Sequence, residues 1–205
     1  MTFLHDTALL DPSAPTADLS AAPPVPVAHA TANADWSAVY ALRTYRAGDL
    51  AACRRLYRDG LLGGQIATND TGLDIDDIEG AYLSSPGNHF WVAEVRPGQG
   101  DVAGANDGDV VGMIGVQQHD EGVGEIRRLR VAADHRRRRI GSRLLETAIR
   151  FCRDAGALKV ALDTFIEREA AIALFDRLGF RHGRSRSMQG KEMLYFYLDL
   201  YAQGR

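Results

Sequence analysis

Residues 129–145, LRVAADHRRRRIGSRLL, place the tightest restriction on the fold. Residues 129–132 read as the end of a strand. From Gly141 onward Leu144, Leu145, Ala148, Ile149 and Cys152 recur at helical spacing, and Gly156 suits a C-cap. A strand that passes through a short turn into an amphipathic helix is the first half of a strand–helix–strand unit. Residues 159–164 read as its second strand, so this unit forms the centre of a mixed α/β domain. The turn itself holds four consecutive arginines, Arg136 to Arg139. The N–H groups at a helix start lack backbone partners and the helix dipole adds positive potential, so a phosphate suits the position. Gly141 lets a ligand approach without a Cβ in the way. Ser142 adds a hydroxyl, and the arginines add charge-assisted hydrogen bonds. A solvated basic helix start and a nucleic-acid patch are the competing readings of the arginine run.

These arginines belong to a wider asymmetry. Of 24 basic residues only Lys159 and Lys191 are lysines. Between Arg127 and Arg153 ten arginines face two acids, a local balance of +8, while from Asp59 to Asp109 ten acids face Arg96 alone, a balance of −9. The formal net charge of −3 conceals both blocks. The basic block suggests an anionic partner. At 205 residues, 45% apolar and 25% charged, one soluble globular domain is expected. No apolar run approaches the roughly 18 residues of a membrane-spanning helix. The N-terminus has no basic stretch followed by a long apolar one, so a cytoplasmic protein without a membrane partner is expected. Cys53 and Cys152 are too few for a disulfide framework and read as small buried hydrophobes, and no metal site is expected.

Residues 1–36 hold five of the seven prolines, nine alanines and no Lys or Arg. A flexible Ala/Pro-rich tail is expected there, followed by one domain over 37–205. Residues 39–45 read as a strand. Asp49 is placed to cap a helix whose stripe is Leu50, Cys53, Leu56 and Tyr57. A short acidic helix is expected over 74–83. Strands over 89–95 and 110–118 form an antiparallel hairpin with a long Gly- and Asp-rich tip. Residues 125–132 read as the next strand. After the central helix and the strand over 159–164, Ala171, Leu174, Phe175 and Leu178 mark a helix that Gly179 stops, and residues 193–200 close the chain as a strand.

The turn resembles the GCN5-related N-acetyltransferase (GNAT) superfamily, whose motif Q/R-x-x-G-x-G/A lies between a central strand and helix. Arg136 falls on the first position, Arg139 on the first glycine and Gly141 on the second. Downstream, LDTFIEREAAIALFDRLGFR at 162–181 is similar to the second half of that signature, a strand leading into A-x-x-L-Y-x-x-x-G-F. The resemblance spans most of 37–205, and the L-D-T and A-A-x-A-L runs look most like the camello-type branch. It implies a mostly antiparallel sheet of six to seven strands, about four helices and a central β-α-β core that binds acyl-CoA. It also implies an acyltransferase that moves an acetyl group from acetyl-CoA to a primary amine, of a small molecule or a protein, by direct attack in a ternary complex.

The resemblance further implies that the fourth and fifth strands splay apart to admit the pantetheine. Backbone groups of Leu129 and Val131 would pair with it, and the Val131 N–H would support the thioester oxyanion. Arg136, Arg137, Arg138, Arg139, Ile140, Gly141 and Ser142 would wrap the pyrophosphate. Arg168 stands where many members have asparagine and would reach a CoA phosphate or solvent. Phe175 stands where members carry a tyrosine that protonates the thiolate, and without a hydroxyl it fits equally well as part of its helix's apolar stripe. Tyr195 is the replacement donor, with Tyr197, Ser142 and water as alternatives, or no acid is needed because a thiolate is a tolerable leaving group. Glu125 is the candidate general base, against the reading of an ordinary exposed strand-end glutamate. Glu121 and His119 are weaker alternatives. The acidic stretch 70–79 either walls the acceptor site against a cationic amine or is a solvated surface helix.

Two rival functions remain open at this point. The missing tyrosine and the altered glycine suit an acyl-CoA-binding regulatory or inactive member of the superfamily. The arginine block suits a nucleic-acid-binding module, which is disfavoured because the central helix uses its other face for a core and no DNA-reading motif accompanies it. The last strand offers an edge for a homodimer.

Overall fold

The computed structural model describes residues 36–61, 71–99, 102–120, 122–188 and 190–201. The expected tail lies outside the described residues except for Trp36, as do Glu121 and the side chain of His119. Seven strands form one sheet: β1 (Tyr40–Thr44), β2 (His89–Val95), β3 (Val110–Asp120), β4 (Val123–Val131), β5 (Lys159–Phe165), β6 (Arg181–Met188) and β7 (Lys191–Asp199). Their order across the sheet is β1-β2-β3-β4-β5-β7-β6. Every neighbouring pair is antiparallel except β4 and β5. Helices α1 (Leu50–Asp59), α2 (Leu73–Asp76), α3 (Ile140–Asp154) and α4 (Glu169–Arg177) accompany the sheet. Helix α3 makes the crossover that a parallel pair requires.

Two cores sandwich the sheet. On one face Ile140, Leu144, Leu145, Ala148, Ile149 and Cys152 of α3 pack onto Ile114, Val116, Ile126 and Val160. Helix α3 lies close because Gly112 and Gly124 lie beneath it: a Cβ on Gly124 would stand 2.5 Å from Cys152 Sγ, and one on Gly112 would stand 2.9 Å from Ile140 Cγ2. On the other face Cys53, Leu56 and Tyr57 of α1 join Ile75, Ile78, Tyr82, Phe90 and Met113. Both cysteines are buried thiols, and desolvation pushes Cys152 up to about 11 and Cys53 up to about 12. That environment suits packing rather than nucleophilic attack. Among the described residues no helix is long and apolar enough to cross a membrane, and no cluster of three metal-ligating side chains occurs.

Three local expectations need correction. Asp49 does not cap α1; its carboxylate accepts from the guanidinium of Arg43 at 2.6 and 2.9 Å and from the Arg46 N–H at 2.8 Å. The acidic helix is broken. Asp77 leaves helical geometry, its carboxylate accepts the Gly80 N–H at 2.9 Å, and a wide π-type turn follows over Glu79–Leu83. The closing strand β7 is not an edge: it lies between β5 and β6, and β6 is the edge.

Candidate active site

Strands β4 and β5 pair over only three positions, Val123↔Lys159, Gly124↔Val160 and Glu125↔Ala161. Beyond Glu125 they part, while β4 stays on β3 as far as Val131 and β5 stays on β7 as far as Phe165. The parting opens a cleft of about 1350 Å³ in the plane of the sheet. A bulge in β4 shapes its wall. Gly115 faces Arg127 and Met113 faces Arg130, so Arg128 and Leu129 together oppose Ile114. The extra residue reverses the alternation of side chains. Before it Ile126 faces α3, and after it Leu129 and Val131 do.

The backbone past the bulge serves the cleft. The Ala132 N–H donates to the Val111 carbonyl at 2.8 Å. In an antiparallel ladder the neighbouring Val131 N–H and C=O then point away from β3, into the space that β5 has left. The Val131 carbonyl there accepts from Arg136 Nε at 3.3 Å, and the Leu129 carbonyl accepts from Arg130 Nη1 at 2.9 Å.

Helix α3 starts at the far end of this cleft without a side-chain cap. Arg137 and Arg139 both take left-handed backbone, with φ of 60° and 61°, so the turn curls tightly before the helix. Leu129, Val131, Arg136, Arg137, Arg139, Ile140, Gly141, Ser142, Arg168 and Phe175 all line the cleft. Arg138 does not. It turns to Tyr40, where burial raises the phenol pKa and the Arg138 cation opposes that rise. Tyr40 Oη lies 3.1 Å from Nδ1 of the buried His135. Burial first, and Arg138 second, hold this imidazole below its ordinary pKa.

Arg168 is half-buried in the cleft wall. Its Nη2 donates to the Gly60 carbonyl at 2.6 Å, tying the start of α4 to the end of α1 across the cleft. Desolvation, then repulsion from Arg136, lowers its pKa. Phe175 is buried and packs on Phe180 and Phe196 at centroid distances of 5.9 and 5.6 Å, so it serves both the cleft wall and the core.

A second cavity of about 640 Å³ lies over the paired ends of β4 and β5 and the adjoining part of β7. Glu125, Asp163, Arg184, Tyr195 and Tyr197 line it. Glu125 is one-third exposed, with Arg127 Nε at 3.8 Å. Arg184 lies over the Tyr195 ring at 4.7 Å and Lys159 over the Tyr197 ring at 5.2 Å. The two cavities share Leu162 and Asp163. Asp163 is the residue sequence reasoning missed. The signal was its cross-strand pairing with Tyr195, which needs the β5–β7 register to be seen.

Of the acidic stretch 70–79, Asp70 lies outside the described residues, and three of the other acids have partners in the fold. Asp74 takes a bidentate pair from Arg128 and a hydroxyl hydrogen bond from Tyr82, Asp76 pairs with Arg54 at 2.8 Å, and Asp77 holds Gly80. Asp76 and Asp77 are exposed, as in the surface-helix reading, while Asp74 is held by Arg128 and Tyr82.

The sheet order, the parted central strands and the uncapped, arginine-flanked helix start define an acetyltransferase-type fold. The chain belongs to the acetyltransferase (GNAT) family, whose model matches residues 67–180. Curated relatives that it resembles include camello-type proteins. It is 38% identical over 113 residues to the camello protein of Xenopus tropicalis, covering 54% of this chain and 47% of that one. It is 35% identical to N-acetyltransferase 8 of Homo sapiens, covering 53% and 45%. The chain thus spans about half the length of the curated relatives it matches. Two solved structures share the fold at 19% identity and a TM-score of 0.64. One is a GNAT-family acetyltransferase of Staphylococcus aureus, covering 78% of this chain and 99% of that one. The other, from Salmonella typhimurium, is described with its cofactor acetyl-CoA and covers 82% and 97%.

Proposed function

We propose that residues 37–205 form an N-acetyltransferase domain that transfers an acetyl group from acetyl-CoA to a primary amine within a ternary complex. The observation that carries the reading is the meeting of two cavities at the end of the β4–β5 pairing. One runs from the α3 start along β4, and the other is lined by Glu125, Asp163 and Tyr195. Relatives named as N-acetyltransferases and a fold neighbour described with acetyl-CoA support it.

In this reading the N–H groups of Ile140, Gly141 and Ser142 and the guanidinium groups of Arg136, Arg137 and Arg139 hold the pyrophosphate. The pantetheine lies along Leu129 and Val131 and displaces Arg136 from the Val131 carbonyl. An alkylammonium has a pKa near 10.4, so it gives up a proton before its lone pair attacks. Glu125 accepts that proton, directly or through a water. The amine nitrogen bonds to the thioester carbon while the Val131 N–H supports the carbonyl oxygen; the C–S bond then breaks as the nitrogen releases its second proton to water, leaving the amide and a thiolate. The Phe175 ring donates no proton to the departing thiolate, so Tyr195 or water supplies it.

The test is twofold. Acetyl-CoA at about 100 times its Kd should stabilise the protein by about 2.7 kcal/mol. Free thiol should then appear when amines of several classes are added. Absence of any thermal shift at saturating acetyl-CoA would overturn the proposal. Binding without turnover of any amine would favour a regulatory acyl-CoA-binding role.

A further inference from the structure

Arg128 occupies the bulge of β4 with φ of 58°, a left-handed conformation that a side chain opposes. Its guanidinium is 6% exposed and bonds both oxygens of Asp74, at 2.5 and 2.7 Å. The Tyr82 hydroxyl donates to the same carboxylate, and the Arg128 guanidinium lies 5.1 Å from the centroid of the Tyr57 ring. Elements on the α1–α2 face therefore converge on the one strained residue of β4. None of Asp74, Tyr57 or Tyr82 lines the cleft.

The bulge sets which way the end of β4 faces. Because strand side chains and backbone groups alternate with a period of two, removal of one residue from the bulge would exchange the directions of every group after it. The Val131 N–H would then turn from the cleft to β3. A half-buried carboxylate that grips the buried guanidinium of the inserted residue holds it in the register that the cleft needs. We infer that Asp74, through its ion pair with Arg128, is a positioning residue for acyl-CoA: it locks the β4 bulge and so aims the backbone of Leu129 and Val131 into the cleft. The inference rests on the reading of that cleft as the acyl-CoA site.

The test is the Kd for acetyl-CoA, measured by calorimetry at a temperature where circular dichroism shows each variant folded. Asp74→Asn removes the charge and leaves Arg128 strained, and should weaken binding by about tenfold or more, since small misplacements of a binding group carry such losses. The double variant Asp74→Asn/Arg128→Gly should recover most of that loss. Glycine adopts positive φ unaided, and no unpaired buried charge remains. A purely structural ion pair predicts a different pattern, in which both variants melt earlier and both bind acetyl-CoA as the unaltered protein does. That pattern, or a double variant as weak as Asp74→Asn, overturns the inference. Should Asp74→Asn fail to fold, Tyr82→Phe removes only the hydroxyl that steadies Asp74. It should still weaken binding measurably, and unchanged affinity overturns the inference equally. If the unaltered protein binds no acetyl-CoA, the reading of the cleft itself has failed, which is a separate result.

Discussion

Gly141 separates what the fold needs from what a ligand needs. A Cβ added there would stand 3.5 Å from Leu174 Cδ2 and 3.8 Å from Val131 Cγ2, both ordinary contacts. The protein itself has room for alanine, which also favours helix by up to about 1 kcal/mol. Gly141→Ala should therefore keep or raise the unfolding midpoint while weakening acetyl-CoA binding, checked by denaturation and calorimetry on the same sample. The proposed general base is open to a similar dissection. Glu125→Gln should lower kcat by about 10² to 10⁴, the usual range for loss of a proton acceptor, with little change in acetyl-CoA KM. If Asp163→Asn alone produced that fall, the role would pass to Asp163. Residue types were readable in the sequence, but directions were not. Arg138 sits in the same run as Arg136, Arg137 and Arg139, yet it faces Tyr40 because two left-handed residues flank it.

At the scale of elements, periodic segments were legible and irregular ones were not. Helix α3 and strands β2 and β5 follow from burial patterns that the sequence displays, within a residue or two at either end. Strand β6, RHGRSRSM, carries almost no apolar residue because as the edge strand it packs on β7 alone, so no alternation announced it. The acidic helix broke because Asp77 found a better partner in the Gly80 N–H than in the helix ladder. The arginine turn shows how a departure from the family motif is accommodated. Arg139 takes the left-handed backbone that glycine adopts freely, which costs about 1–2 kcal/mol for a side chain. Arg139→Gly would relieve that strain but add about 0.4–1 kcal/mol of unfolded-state entropy, so the midpoint should move little. A β-branched residue tolerates positive φ least, so Arg139→Val should destabilise by about 1–2 kcal/mol. Urea denaturation of both variants checks the pair, and equal midpoints would refute the strained turn.

Across the whole molecule the charge asymmetry resolves into two populations. Part of the basic block is wired internally: Arg127 to Gln117, Arg128 to Asp74, Arg143 to Glu146. Arg136, Arg137 and Arg139 line the cleft instead. The internal wiring gives stability a defined pH course. Burial alone would raise the carboxyls of Asp49 and Asp74, but hydrogen bonds from Arg43 and the Arg46 N–H, and from Arg128 and Tyr82, hold them below the ordinary 3.8. A depressed carboxyl contributes stability that is complete above the unfolded pKa and is lost as pH falls below it. Burial also lowers His89 and His135 from 6.5; at His135 Arg138 adds to that effect while Asp134 and Asp109 oppose it. The unfolded chain then takes up protons near pH 6.5 that the folded chain resists, so stability begins to fall there, by at most about 1.4 kcal/mol per pH unit for each group. Unfolding free energy should therefore be level between about pH 7 and 8, decline from 6.5 downward, drop again below about 4, and fall at alkaline pH as the unfolded thiols ionise and the buried ones do not. His135→Gln keeps a hydrogen-bonding partner for Tyr40 but cannot titrate, so it should flatten the decline between pH 6.5 and 5 while leaving the drop below 4. Parallel curves for the variant and the unaltered protein across that upper window would show that buried His135 does not set the first decline.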